Sequence, residues 1–240
     1  MGLLAQKRSG ADVFSEFRRL GDEERLLNGK IERELLVTGL ESLDRLVSGF
    51  PRGAISEIIG PESSGRTTLL YRLLAVATSN QEICACVDVG DSFDPRTASL
   101  AGVTLTQLLW IRCRNNLDHA LKALDYLLHG GGFGIVVLDM GPTLLPSQKK
   151  MRLLPSSYWY RFRQPLEHTR TTVVVVARES LARQCASLRL EMKPMIPNWV
   201  GAAPSVLLRG ARIEAVSQRP FRNGRAQFGA EALQASRAGE

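Results

Sequence analysis

One run of eight residues constrains this chain more than any other: Gly60-Pro61-Glu62-Ser63-Ser64-Gly65-Arg66-Thr67. It fits the phosphate-loop pattern GxxxxGK[ST] at every fixed position but one, with Arg66 standing where lysine is expected. The apolar run at 54–59 before it reads as a strand, and the pattern at 67–78 after it reads as a helix. Backbone N–H groups between two glycines, ending at a helix N-terminus, make an anion cradle whatever the side chains are. Thr67 keeps the hydroxyl that can reach a magnesium ion. Arg66 keeps the charge of lysine but replaces a compact ammonium by a larger planar fork. The motif therefore speaks more strongly for a fold than for catalysis.

Further apolar runs at 83–89, 108–111, 135–138 and 172–177 have strand character, with a helical pattern at 117–129 between two of them. Nearly all-apolar strands alternating with helices describe an α/β domain, a mostly parallel sheet covered by helices on both faces. The stretch 187–228 differs, with short strands at 188–192, 212–216 and 226–228 and the turn Asn223-Gly224, and is expected to extend the sheet in antiparallel fashion. Residues 1–34 are charged around an amphipathic pattern of Val13, Phe14, Phe17, Leu20, Leu26 and Leu27, a helical arm suited to docking on a neighbour. The core is expected over 35–230 and a flexible tail over 231–240.

The 44% apolar and 23% charged residues of this 240-residue chain disfavour the disordered and low-complexity classes. The longest apolar runs fall far short of the roughly 20 residues that a bilayer requires, and the N-terminus lacks an apolar signal core. Thirty-one Lys and Arg against 24 Asp and Glu give a net charge of +7, which favours a polyanionic partner, nucleic acid first. Cys84, Cys86, Cys113 and Cys185 lack zinc-ligand spacing and read as reduced, buried thiols. Cys84 and Cys86 alternate within a strand, which puts both on one face.

The motifs in order resemble bacterial RecA: Ser42-Leu43-Asp44, Pro51-Arg52-Gly53, Ser56 to Gly65, Val87-Asp88, Asp94-Pro95 and Gly102-Val103. The likeness covers roughly 36–142 well and the remainder loosely, and it implies the RecA-type P-loop fold without that family's C-terminal domain. It implies a nucleotide set of Gly60, Ser63, Ser64, Gly65, Arg66, Thr67, Thr68, Asp94 and Asp139, with Thr67 and Asp139 at magnesium if ATP binds. Several family positions have changed. Gly90 stands where the family has the glutamate that activates water, and the neighbouring Asp91 is expected to point elsewhere. Thr97 replaces the aromatic partner of adenine, Arg178 the sensor glutamine, and Met140 a hydroxyl residue after Asp139. Asp88 and Asp91 remain a candidate cation pair.

In the resembled family two loops hold single-stranded DNA. The segment matching the first runs from 140 to 166 without an acid, and carries Lys149, Lys150, Arg152, Arg161 and Arg163 around Tyr158, Trp159, Tyr160 and Phe162. Basic side chains neutralise phosphates and aromatics stack on bases, as single-strand binding needs; the same residues also suit a protein interface, or a helix with a buried aromatic face. The segment matching the second loop, 179–186, is short and mixed in charge. A second basic stretch, Arg209, Arg212, Arg219, Arg222 and Arg225 opposed by Glu214, suits a polyanion, a partner or a solvated strand face. His119, His129 and His168 are scattered and read as surface residues.

A short RecA-like chain with an altered nucleotide site is similar to the ImuA accessory proteins of damage-induced mutagenesis. That resemblance implies a non-catalytic adaptor of the DNA damage (SOS) response and translesion synthesis in the bacterial cytoplasm, near the nucleoid. Its partners would be RecA or a RecA filament, a translesion polymerase, single-stranded DNA and further copies of itself. The alternatives are an active DNA-dependent ATPase in which Arg66 does the work of lysine, and a switch that binds ATP without hydrolysing it.

Overall fold

The computed structural model describes residues 34–141, 156–202, 205–220 and 224–231. The predicted arm at 1–34, apart from Glu34, lies outside these residues, as do Lys149, Lys150, Arg152, Arg222 and Asn223 and the tail beyond Glu231.

A short β1 (Leu35–Leu36) and α1 (Glu41–Val47) lead through β2 (Phe50–Pro51) to β3 (Ala54–Ile59). Then α2 (Arg66–Ser79), β4 (Cys84–Asp88), α3 (Pro95–Leu100), β5 (Leu108–Arg112), α4 (Leu117–Gly130) and β6 (Ile135–Asp139) follow. The next described helix is α5 (Ser156–Leu166), and after it come β7 (Thr172–Ala177), β8 (Ala186–Met192), β9 (Ile196–Ala202), β10 (Ser205–Arg219) and β11 (Gly224–Glu231). β1 and β2 form an antiparallel pair. The other strands form one nine-stranded sheet in the order β11-β10-β8-β3-β7-β6-β4-β5, with β9 also paired to β10.

Burial on both faces explains the nearly unbroken apolar strands. Alternate residues serve opposite cores. Ile58, Cys84, Cys86, Ile135, Val137, Val174 and Val176 pack with α1, α2 and α3 on one face. Ile55, Ala85, Val87, Val136, Leu138, Val173 and Val175 pack with α4 and α5 on the other. Cys84 and Cys86 thus share one buried face, and burial raises the thiol of Cys84 to about 12. Asn116 caps α4 by accepting from His119 N at 3.1 Å.

The C-terminal strands depart from expectation in two respects. β8 lies parallel to β3, so only β9, β10 and β11 run antiparallel. The supposed short strand at 212–216 is the middle of a 15-residue strand, β10, whose first half pairs with β9. Pro197 and Gly201 hid β9, because both lower strand propensity.

One charge sits inside the buried strand β3. Glu57 is fully buried and accepts from Ser180 Oγ at 2.8 Å, from the backbone N–H of Leu181 and Ala182 at 2.7 Å each, and from Arg189 Nε at 2.6 Å. The carboxylate thereby ties the segment after β7 to the sheet.

Candidate functional site

The loop from Gly60 to Gly65 leaves the C-terminal end of β3 and turns into α2. Gly60 N donates to the carbonyls of Ala177 and Arg178, and Met195 N donates to the carbonyl of Ser63 at 3.0 Å. Gly65 has φ +86°, and a Cβ there would lie 2.6 Å from Ile213 Cδ1, so its place in the left-handed region and against β10 requires glycine. No side chain caps α2, in contrast to α3 and α4. Its first N–H groups therefore remain for a ligand.

A cleft of about 330 Å³ opens here, lined by Glu62 to Thr68 together with Ser92, Asp139, Gly141, Val176 and Met195. Two buried polar atoms at this loop lack a hydrogen-bond partner among the described residues: Ser64 Oγ and Arg66 Nη1. Such orphans carry a desolvation cost that a phosphate oxygen would relieve. Burial lowers the pKa of the Arg66 guanidinium, with Arg178 pushing the same way, while Asp139 and Glu62 oppose the shift.

Asp139 closes the other wall of the cleft. Its carboxylate accepts from Gly141 N at 2.9 Å and from Ser92 Oγ at 3.0 Å. Burial holds the group above the usual carboxylate range despite those bonds, with Asp88 adding repulsion and Arg66 attraction. Thr67 and Asp139, the pair that the resemblance assigns to magnesium, both line the cleft. The loop side of the cleft, with its two unpartnered polar atoms, fits the phosphates of a nucleotide, while the Asp139 carboxylate is already engaged by Ser92 and Gly141. Ser92 and Met195 went unnoticed in the sequence; a serine four residues beyond the end of a strand carries no pattern of its own.

The positions of the expected nucleotide chemistry are less favourable. Gly90 offers no side chain, and Asp91 is held by Arg112, Nε to Oδ1 at 3.0 Å. Asp88 accepts from Ser92 N at 3.0 Å, Phe93 N at 3.1 Å and Trp110 Nε1 at 3.1 Å. The expected Asp88–Asp91 cation pair is thereby corrected: protein donors occupy both carboxylates, and no metal-holding group of three or more His, Cys, Asp or Glu occurs among the described residues. Asp94 is the N-cap of α3, accepting from Arg96 N and Thr97 N, and it is not among the residues that line the cleft. Thr97, at the position of the adenine-stacking ring, also donates its hydroxyl to Asp94.

The aromatic cluster of α5 divides. Trp159 is 2% exposed and packs edge-on against buried Phe162, with centroids 6.1 Å apart. Its assignment to a DNA or partner surface is corrected, because spacing of three on a helix turns both rings into the core. Tyr158 and Tyr160 are 41% and 52% exposed and remain available. Arg161 pairs with Asp125 at 2.7 Å, and Arg163 with Glu167 at 3.4 Å.

Elsewhere, Arg225 pairs with Glu214 at 3.4 Å, and Arg219 donates to the carbonyl of Gln184 at 2.8 Å. Arg212 is exposed. The three histidines lie at the surface as expected.

Residues 16–151 match the RecA N-terminal domain family. The chain belongs to the RecA family. It is 40% identical to Protein RecA of Borrelia hermsii over 100 residues, which make up 42% of this chain and 28% of that protein. It is 38% identical to Protein RecA of Chlorobaculum parvum over 130 residues, 53% of this chain and 36% of that protein. The chain thus spans about a third of the length of these RecA relatives. Beyond the region of RecA likeness, the crystal structure of the RadB recombinase supports the same fold: it superposes with a TM-score of 0.58 at 18% identity, over 81% of this chain and 95% of that one.

Proposed function

We propose that this RecA-family chain is a non-hydrolysing adaptor of the DNA damage response, serving translesion synthesis by binding RecA or a RecA filament and a polymerase partner. The observation that carries this reading is the carboxylate inventory of the cleft. Among the described residues that line it, the carboxylates are Glu62, on the loop itself, and Asp139, which is committed to Ser92 and Gly141. Activating a water for phosphoryl transfer needs a positioned base, and the family's place for it is Gly90. Support for the setting comes from the resemblance to the ImuA accessory proteins, and from the names of the relatives, RecA and a recombinase. No described helix is long and apolar enough to cross a membrane.

The orphaned Ser64 Oγ and Arg66 Nη1 and the uncapped α2 favour a second reading within the first, in which the loop holds ATP as a ligand. A bound nucleotide would then stabilise the fold by mass action.

Steady-state ATP hydrolysis by the purified protein, with and without single-stranded DNA and beside Arg66→Ala, tests the adaptor reading. It expects no turnover above that of the variant. DNA-stimulated hydrolysis that vanishes in Arg66→Ala would overturn it in favour of a divergent ATPase. A rise in melting temperature with ATP, absent in Arg66→Ala, supports the ligand reading, and no shift at millimolar ATP removes it.

A further inference from the structure

Six of the 15 large apolar side chains exposed on the described residues gather on the ribbon made by β9 and the first half of β10: Ile196, Trp199, Val200, Val206, Leu207 and Leu208. The register explains why no fold of the ribbon could hide them. Val200 lies opposite Leu207, and Ile196 opposite Arg212, on one face; Trp199 lies opposite Leu208 on the other. Both faces are therefore apolar, with Trp199 57% and Leu207 71% exposed. β9 pairs with β10 alone among the described strands, so its outer edge is open.

Protected edges usually carry charge, and Ile196 to Ala202 carries none. At the base of the ribbon, Arg209 and Arg212 border a groove of about 630 Å³ shared with Phe228 to Ala230. Neither arginine has an acidic partner among the described residues, whereas Arg225 nearby is paired with Glu214.

We propose that this ribbon is a docking surface for an extended, acidic segment of a partner protein, whose backbone adds a strand to β9 and whose carboxylates meet Arg209 and Arg212. Open backbone on β9 supplies the ladder, the apolar faces supply burial, and the two guanidiniums, without an acidic partner among the described residues, set the sign of charge in the partner. Five of the six exposed apolar side chains are aliphatic and offer no face for a base, which disfavours a nucleic acid here. The ribbon from Ile196 to Arg212 contains no acid, so the ribbon of a second copy offers no complementary charge to Arg209 and Arg212. This inference rests on the adaptor reading and names the partner chemistry that it requires.

The test uses the full chain and a short fluorescent peptide alternating leucine and glutamate, followed by anisotropy at low and high salt. Binding is expected, weakened by salt. The double substitution Arg209→Ala with Arg212→Ala should weaken it about tenfold, as two exposed ion pairs allow. Trp199→Ser with Leu207→Ser should abolish it while leaving the melting temperature and any ATP-induced shift unchanged. No binding, or equal binding of a leucine–lysine peptide, overturns the proposal. So does capture of labelled oligothymidylate that the same substitutions abolish, or self-association that they abolish without any peptide binding. ATP hydrolysis would overturn the adaptor reading and leave these peptide results standing, so the two failures are separable.

Discussion

Arg112 holds Asp91 by both carboxylate oxygens, Nε to Oδ1 at 3.0 Å and Nη2 to Oδ2 at 3.1 Å. The same guanidinium lies 5.1 Å from the centre of the Trp110 ring, which fixes it over β5. The pairing pulls Asp91 below the ordinary carboxylate range, chiefly through its hydrogen bond to Arg112. It also keeps the one acid next to Gly90 engaged with the edge of the sheet.

The first prediction concerns Gly90→Glu. A carboxylate restored at this position faces a loop with Arg66 in place of lysine and Arg178 in place of the sensor glutamine. Phosphate release under single-turnover conditions should stay at background in this variant, and also when it is combined with Arg112→Ala. Turnover in either would show that one missing group separates the chain from a hydrolase.

Glu57→Ala should be costly. Removing the carboxylate strands the largely buried Arg189 and three donors of the segment after β7. Breaking a buried pair in this way costs about 3–5 kcal/mol, to be read from urea unfolding. A loss near zero would mean that water reaches the site.

For Asp139 the sign of the pH effect follows from burial. A carboxyl whose pKa is raised in the folded state binds protons that the unfolded chain has already released. Stability therefore falls as pH rises from the ordinary carboxylate value through the raised one, and stays lower above it. Asp139→Asn removes that penalty. Its melting temperature should exceed that of the wild type at neutral pH and converge with it in acid, as thermal scans across pH will show.

Trp159→Ala and Tyr158→Ala separate the two roles once open to the aromatic cluster. The first should cost about 3–5 kcal/mol of stability, as emptied aromatic sites do. The second should change stability by about 0.5 kcal/mol or less. Equal effects in chemical denaturation would contradict the division of the helix into a buried and an exposed side.

The parallel half of the fold was legible because burial on both faces leaves a strand with no polar alternation to confuse, as in Val173 to Val176. The phosphate loop was legible because its glycines answer a backbone requirement. The C-terminal half was obscured by Pro197 and Gly201, and by a parallel β8 that no local pattern distinguishes from an antiparallel one. At the site, residues with a fixed place in a motif, Ser64 to Thr67, were found. Ser92 and Met195 were not, since tertiary contact alone brings them there. The Glu57 anchor did leave a signal, a lone acid in the run Ala54-Ile55-Ser56-Glu57-Ile58-Ile59, which an all-apolar reading of the strand passed over.

Ile213 meets Gly65 at the phosphate loop, and Leu208, five residues earlier on the same strand, stands on the exposed ribbon. β10 is thus a single lever with one end under a prospective anion and the other under a prospective partner. If capture of one ligand tilts that strand across the irregularity between Leu208 and Gly210, the seat of the other shifts with it, and by reciprocity each would alter the affinity of its counterpart by the same factor. If the chain is the non-hydrolysing adaptor proposed above, its nucleotide pocket would still have a use, as the handle by which docking is tuned.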